Sequence, residues 1–106
     1  KLTEFGLNDK EQTDFITYWS PRIKQNPYVV IEFLVDEAYD NEIGLLKVNP
    51  QPDCMRRVYL LFSGLEKPIN LNVQKTEKFS SLNRTGFTVI EWGGSELQIN
   101  LETSSL

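Results

Sequence analysis

Tyr28-Val29-Val30-Ile31-Glu32-Phe33-Leu34-Val35 is the stretch on which the fold turns. Every residue but Glu32 is β-branched, aromatic or aliphatic, the composition that suits a pleated, packed surface. Strand alternation puts Val29, Ile31, Phe33 and Val35 on one face and Glu32 on the other. An apolar run this nearly continuous predicts a central strand, covered on both sides.

Upstream, the sequence turns helical. Asn8 stands as N-cap with Glu11 three residues on, and Asp9 and Glu11 suit the positive end of the helix dipole. Phe15, Ile16, Trp19 and Ile23 then recur at helical spacing, which predicts an amphipathic helix over about 8–25. Ser20-Pro21 interrupts it, because proline removes an amide donor and crowds the preceding turn. A kink there, or a restart with Ser20 as cap, is the expectation, and Asn26-Pro27 ends the helical region.

Downstream, short strands follow one another. Asp36 to Gly44 reads as a polar acidic loop, 45–48 as a short strand, and Asn49-Pro50-Gln51-Pro52-Asp53 as a strong turn. About 55–63 resumes the strand pattern, with Val58, Leu60 and Phe62 on one face and Arg57, Tyr59 and Leu61 on the other. Apolar residues alternate with asparagine over 69–73, the signature of a half-buried strand. After a loop over 76–85, a strand over 87–92 ends at Gly93-Gly94, and 96–101 reads as the second arm of a hairpin. With no second helix in the pattern, the expected fold is a mainly β single domain over 1–106. It is an antiparallel β-sandwich or small barrel of about six strands, with one N-terminal amphipathic helix on a sheet edge or end.

The composition sets bounds on function. The chain has 106 residues, enough for one core, and a formal net charge of -4. Its acidic residues concentrate before Cys54, and its basic residues are scattered, with Arg56-Arg57 the one adjacent pair. That pattern offers no clustered basic face for nucleic acid. A single cysteine forbids an internal disulfide, and the absence of histidine removes every Cys/His zinc pattern and every Ser-His or Cys-His nucleophilic pair. No apolar run approaches the roughly 20 residues that span a bilayer, and no cofactor-binding motif is present. The start at Lys1 is what a mature or trimmed product would show.

The segments Tyr18-Trp19-Ser20-Pro21-Arg22, Asn26-Pro27-Tyr28, Asn49-Pro50-Gln51-Pro52-Asp53 and Gly86-Phe87-Thr88-Val89-Ile90-Glu91-Trp92-Gly93-Gly94 carry a further signal. Together they resemble a pattern of uncharacterised small domains in predicted secreted or surface proteins of bacteria, spanning about Gly6 to Leu97. The resemblance implies an extracytoplasmic location, whether secreted, periplasmic or cell-surface. It transfers no catalytic residue.

Candidate site residues come from four places. Glu91-Trp92 puts a carboxylate beside an indole, the pairing that carbohydrate sites use, although Trp92 in the core with Glu91 paired to Arg56 or Arg57 is the structural alternative. Tyr39 and Asp40 add an aromatic and an acidic group in the polar loop. Asp36, Asp40 and Glu42 offer oxygen ligands of the type calcium needs, but not at EF-hand spacing, so a solvated loop or a contact for a basic partner competes. Cys54 lies near Arg56 and Arg57 without a partner thiol or base, and Asn83-Arg84-Thr85 fits a glycosylation acceptor that has no meaning in a bacterial source. The leading expectation is a non-enzymatic binding module that contacts a protein or a glycan through Trp92, Glu91, Tyr39 and Asp40. A structural or accessory domain of a larger surface protein is the alternative. A hydrolase would need a carboxylate pair such as Glu32 with Glu91 converging within about 5–9.5 Å.

Overall fold

The computed structural model describes residues 1–68 and 77–98. Helix α1 spans Asp9–Ile23, strand β1 Tyr28–Val35, helix α2 Glu37–Glu42, strand β2 Cys54–Leu65 and strand β3 Thr88–Glu96. The three strands form one open sheet in the order β1-β2-β3. β1 runs antiparallel to β2, with Tyr28 opposite Leu65 and Val35 opposite Val58. β3 runs parallel to β2, with Cys54 opposite Thr88 and Phe62 opposite Glu96.

Several expectations are corrected here. The chain folds as a small mixed α/β unit with an open three-stranded sheet, not a closed barrel or a six-stranded sandwich. A parallel pair needs a return of roughly a dozen residues or more, and the long connection from Leu65 to Thr88 supplies it. β1 is an edge strand among the described residues, and β2, whose residues are the most consistently buried, is the central one. The residues 45–48 form no strand: Leu45 is 78% exposed, and a run this short has no neighbour to pair with among the described residues. Gly93 and Gly94 do not end β3, which runs through both to Glu96, and Gly94 leaves room there for the Trp19 ring of α1. The strand expected over 69–73 lies outside the described residues, as does the part of 96–101 beyond residue 98.

The acidic segment after β1 is also not a loop but the helix α2. Six residues are too few to show a helical period, yet Glu37 and Asp40 sit in its first turn, where the dipole favours carboxylates. Its one buried residue, Tyr39, holds it to the sheet. Asp36 makes the turn from strand to helix at φ 51° and ψ -105°, a positive-φ conformation that is rare for a residue with a side chain. Helix α1 in turn passes through Pro21 without restarting at Ser20, and the Lys24 amide still donates to the Ser20 carbonyl at 2.9 Å.

Alternation sorts the sheet into two faces. One presents Phe33 and Val35 of β1, Val58, Leu60 and Phe62 of β2, and Trp92 of β3. The N-terminal segment and α1 cover it with Phe5, Leu7, Phe15 and Trp19, all buried. Phe5 meets Phe33 and Phe79 edge-on at 5.3 and 5.0 Å, so the chain after residue 77 joins the same core. The other face presents Leu34, Arg57, Tyr59, Glu91, Gly93 and Ser95, with Tyr39 of α2 against Tyr59 and Arg57.

The start of α1 is tied to the β2-to-β3 connection through one carboxylate. The Glu11 amide donates to Asn8 Oδ1 at 2.9 Å, and the Asn8 amide donates to Glu11 Oε1 at 2.8 Å, a reciprocal cap. Arg84 Nη1 donates to Glu11 Oε2 at 3.0 Å, and Nη2 reaches both Glu11 Oε1 and the Gly6 carbonyl. Hydrogen bonding from Arg84, opposed in part by burial and aided by the Asn8 amide, holds the Glu11 carboxyl below its ordinary pKa. A pKa lowered by folding stabilises the fold above the unfolded value of about 4.3 and loses that contribution as pH falls through the folded value. Glu11→Gln keeps the cap but loses the charge, so it should melt lower than the parent at pH 7, by about 1 kcal/mol. The gap should close as pH falls toward 3. Melting curves that stay parallel across that range would contradict the assignment.

Candidate functional site

Arg57 is the centre of the polar face. As residue four of a twelve-residue central strand it is only 5% exposed, and its guanidinium has nowhere to go but along the sheet. A charge in that position requires partners, since an unpaired buried cation is far more costly than a paired one. Nε donates to Glu91 Oε1 at 2.8 Å, and Nη1 donates to Asp40 Oδ1 at 2.5 Å and to the Gly44 carbonyl at 2.6 Å. The Tyr39 ring lies against the guanidinium, its centroid 3.8 Å from Cζ, close enough for cation–π attraction. Burial works against the charge on Arg57, but the hydrogen bonds to Glu91 and Asp40 outweigh it and hold its pKa above the usual value. Burial, with the charge and hydrogen bond of Glu91, pushes the Tyr39 phenol up. Beyond it, the Tyr59 hydroxyl bonds to Ser95 Oγ.

Arg56, one residue earlier, points to the opposite face and is 1% exposed. Asp36 serves both arginines: Oδ1 accepts from the Arg57 amide at 2.9 Å, and Oδ2 lies 3.3 Å from Arg56 Nε. Arg56 Nη2 also donates to the Ser80 carbonyl, and its guanidinium lies 5.3 Å from the Phe79 centroid.

Three of the four residues singled out as a binding patch therefore come together, around a cation rather than around a vacancy. Glu91, Asp40 and Tyr39 converge on Arg57, while Trp92 projects from the other face of β3. There it packs edge-on against Phe15 at 5.2 Å and near Tyr18 at 5.9 Å. Adjacent residues of a strand point to opposite faces, so Glu91 and Trp92 cannot bind one sugar ring between them. The calcium candidates separate in the same way: Asp36 and Asp40 are turned to the arginines. Among the described residues, no group of three or more acidic, histidine or cysteine side chains could hold a metal ion. Glu32 and Glu91 lie on the two outer strands with β2 between them. Cys54 Sγ lies 3.0 Å from Thr88 Oγ1, inside the parallel pair.

Sequence reasoning missed a groove of about 980 Å³ along the outer edge of β1, from Val30 to Val35. Its lining also includes Glu37 and Asn41 of α2, Ile43 just after it, and Glu77 and Lys78. Among the described residues no strand pairs with this edge. The phase of the ladder follows from the Asp36 amide, which donates to the Arg57 carbonyl at 2.9 Å and so faces β2. Alternation then turns the main-chain groups of Val29, Ile31, Phe33 and Val35 outward, into the groove. No feature of the sequence could have shown it, because it depends on which strands lie beside β1.

Among the described residues, no helix is long and apolar enough to cross a membrane. No family model, no curated protein and no solved structure matches the chain.

Proposed function

We propose that this chain is a non-enzymatic binding module whose partner is a protein, held at the outer edge of β1. The observation that carries the reading is the groove itself, where a strand that is an edge among the described residues turns one row of N–H and C=O groups toward a partly apolar channel. Such an edge is a template for an added strand, with main-chain bonds giving affinity and flanking side chains giving selectivity. A glycan partner is less well supported, because Trp92 and Glu91 lie on opposite faces. A hydrolase is less well supported too, because Arg57 fills the space between Asp40 and Glu91 that a substrate and water would need. An extracytoplasmic location is proposed with this reading and rests on the resemblance carried by the segments 18–22, 26–28, 49–53 and 86–94.

One observation favours a second reading, an accessory domain of a larger surface protein. Asp40 and Glu91 commit their carboxylates to Arg57, and the Tyr39 ring lies against its guanidinium, as internal bracing would. Selection from a displayed library of extended heptapeptides separates the two. A binding module should enrich a sequence motif, and a selected peptide at about 100 times its dissociation constant should add roughly 2.7 kcal/mol, a rise in Tm of about 10 °C or more. No enrichment would leave the accessory reading. A rise produced by glycans and lost on Trp92→Ala would favour the glycan.

A further inference from the structure

The groove has a sign and a sidedness, and both constrain what lies in it. Among the described residues, its charged lining groups are the carboxylates of Glu32, Glu37, Glu42 and Glu77 and the cation of Lys78. Glu77 is answered by Lys1 at 2.7 Å. Glu37 and Glu42 are exposed on α2 and have no ion pair among the described residues. The apolar groups nearest the edge are half-exposed: Ile31 is 45% and Ile43 47% accessible. The two sides differ, because α2 with its carboxylates stands over the face of Arg57 and Tyr59, whereas Ile31 and Phe33 point to the other face.

Resting on the binding-module reading, we infer that the partner is an extended segment of alternating basic and apolar residues that adds to β1 as a further strand. Its cations lie toward Glu37 and Glu42, and its apolar side chains lie toward Ile31 and Phe33. Period-two alternation is what a two-faced groove selects, since successive side chains of an added strand fall on opposite sides. Opposite charge steers the approach, and like charge rejects acidic segments. A second copy of this chain is a poor occupant, because a molecule of net charge -4 would bring one acidic edge against another.

The test uses the whole chain with three fluorescein-labelled heptapeptides, alternating lysine–valine, glutamate–valine and threonine–valine. The lysine–valine peptide should bind, and it should slow amide exchange at Ile31 and Phe33, whose N–H groups face the groove. The double variant Glu37→Lys, Glu42→Lys, which changes only exposed side chains, should bind it at least about tenfold more weakly, and the glutamate–valine peptide better than the parent does. Ile31→Pro removes an outward amide without breaking the β1–β2 ladder, so it should melt near the parent and lose binding. If the threonine–valine peptide binds as well as the lysine–valine one, the charge inference is overturned and the binding-module reading stands. If no peptide slows exchange at Ile31 and Phe33, or if both amides are already protected in the free chain, both fall.

Discussion

Arg57→Met should lower the unfolding free energy by about 3 kcal/mol, seen in urea as a lower midpoint with an unchanged slope. The loss comes less from the contacts removed than from the groups left behind. Without the guanidinium, the carboxylates of Asp40 and Glu91 face each other's charge across an apolar side chain, and the Gly44 carbonyl loses its donor. Breaking a buried pair costs about 3–5 kcal/mol, and the lower end applies because Asp40 and Glu91 are 36% and 32% exposed, so water screens part of the penalty. The decisive comparison is the triple variant Arg57→Met, Asp40→Asn, Glu91→Gln. If stranded charge is the cause, neutralising both carboxylates should recover more than half of the loss. If the triple variant is no more stable than Arg57→Met, the guanidinium's packing on Tyr39 is the larger part. Arg57→Lys should fall between, since an ammonium cannot serve three acceptors in the fixed fork of a guanidinium.

The same cluster shows where the sequence was legible and where it was not. The capped start of α1, the eight residues of β1 and the two faces of β2 follow from local chemistry: a reciprocal cap, an apolar run and a period of two. The pairing of Glu91 with an arginine follows too, because a buried strand charge must find an opposite one nearby. What local chemistry does not contain is the order and direction of strands. A strand with two apolar faces reads as central, yet β1 gains its second cover from α2, a helix too short to announce itself. Two glycines after Trp92 read as a turn, yet one of them marks where a helix presses on a strand. Once β1 is an edge among the described residues and β3 is parallel to β2, the groove follows, and the residues that looked exposed and functional are the ones that brace the sheet beside it. Substitutions at Tyr39, Asp40 and Glu91 should therefore change stability more than binding, and those at Ile31, Glu37 and Glu42 the reverse.

Gly94→Ala should destabilise the chain by about 3 kcal/mol, a fall in Tm on the order of 12–20 °C, while Gly93→Ala should stay within about 0.5 kcal/mol of the parent. The two glycines are neighbours in one strand, so propensity treats them alike, and only packing separates them. A Cβ on Gly93 would meet Tyr59 Cε1 at 3.4 Å, an ordinary contact. A Cβ on Gly94 would lie 2.6 Å from Trp19 Cζ2 and 2.8 Å from the Leu60 carbonyl oxygen, both inside van der Waals contact. Neither neighbour can give way cheaply. The Leu60 carbonyl belongs to the central strand directly opposite Gly94 in the parallel register. The Trp19 ring is held edge-on between Tyr18 at 4.8 Å and Phe62 at 5.9 Å, and it is 5% exposed. An alanine there must lift α1 or part β3 from β2, and overpacking of a fixed core costs about 1–3 kcal/mol, the upper end applying where backbone is one of the obstacles. Trp19→Phe shortens the ring on the side of the clash and costs stability by itself, so the informative quantity is the coupling. In the double variant the penalty of Gly94→Ala should shrink by about 1 kcal/mol, a favourable coupling within the range seen for residues in contact. Strict additivity would mean that the Leu60 carbonyl alone sets the cost, and equal effects at Gly93 and Gly94 would mean that α1 does not press on β3 at all.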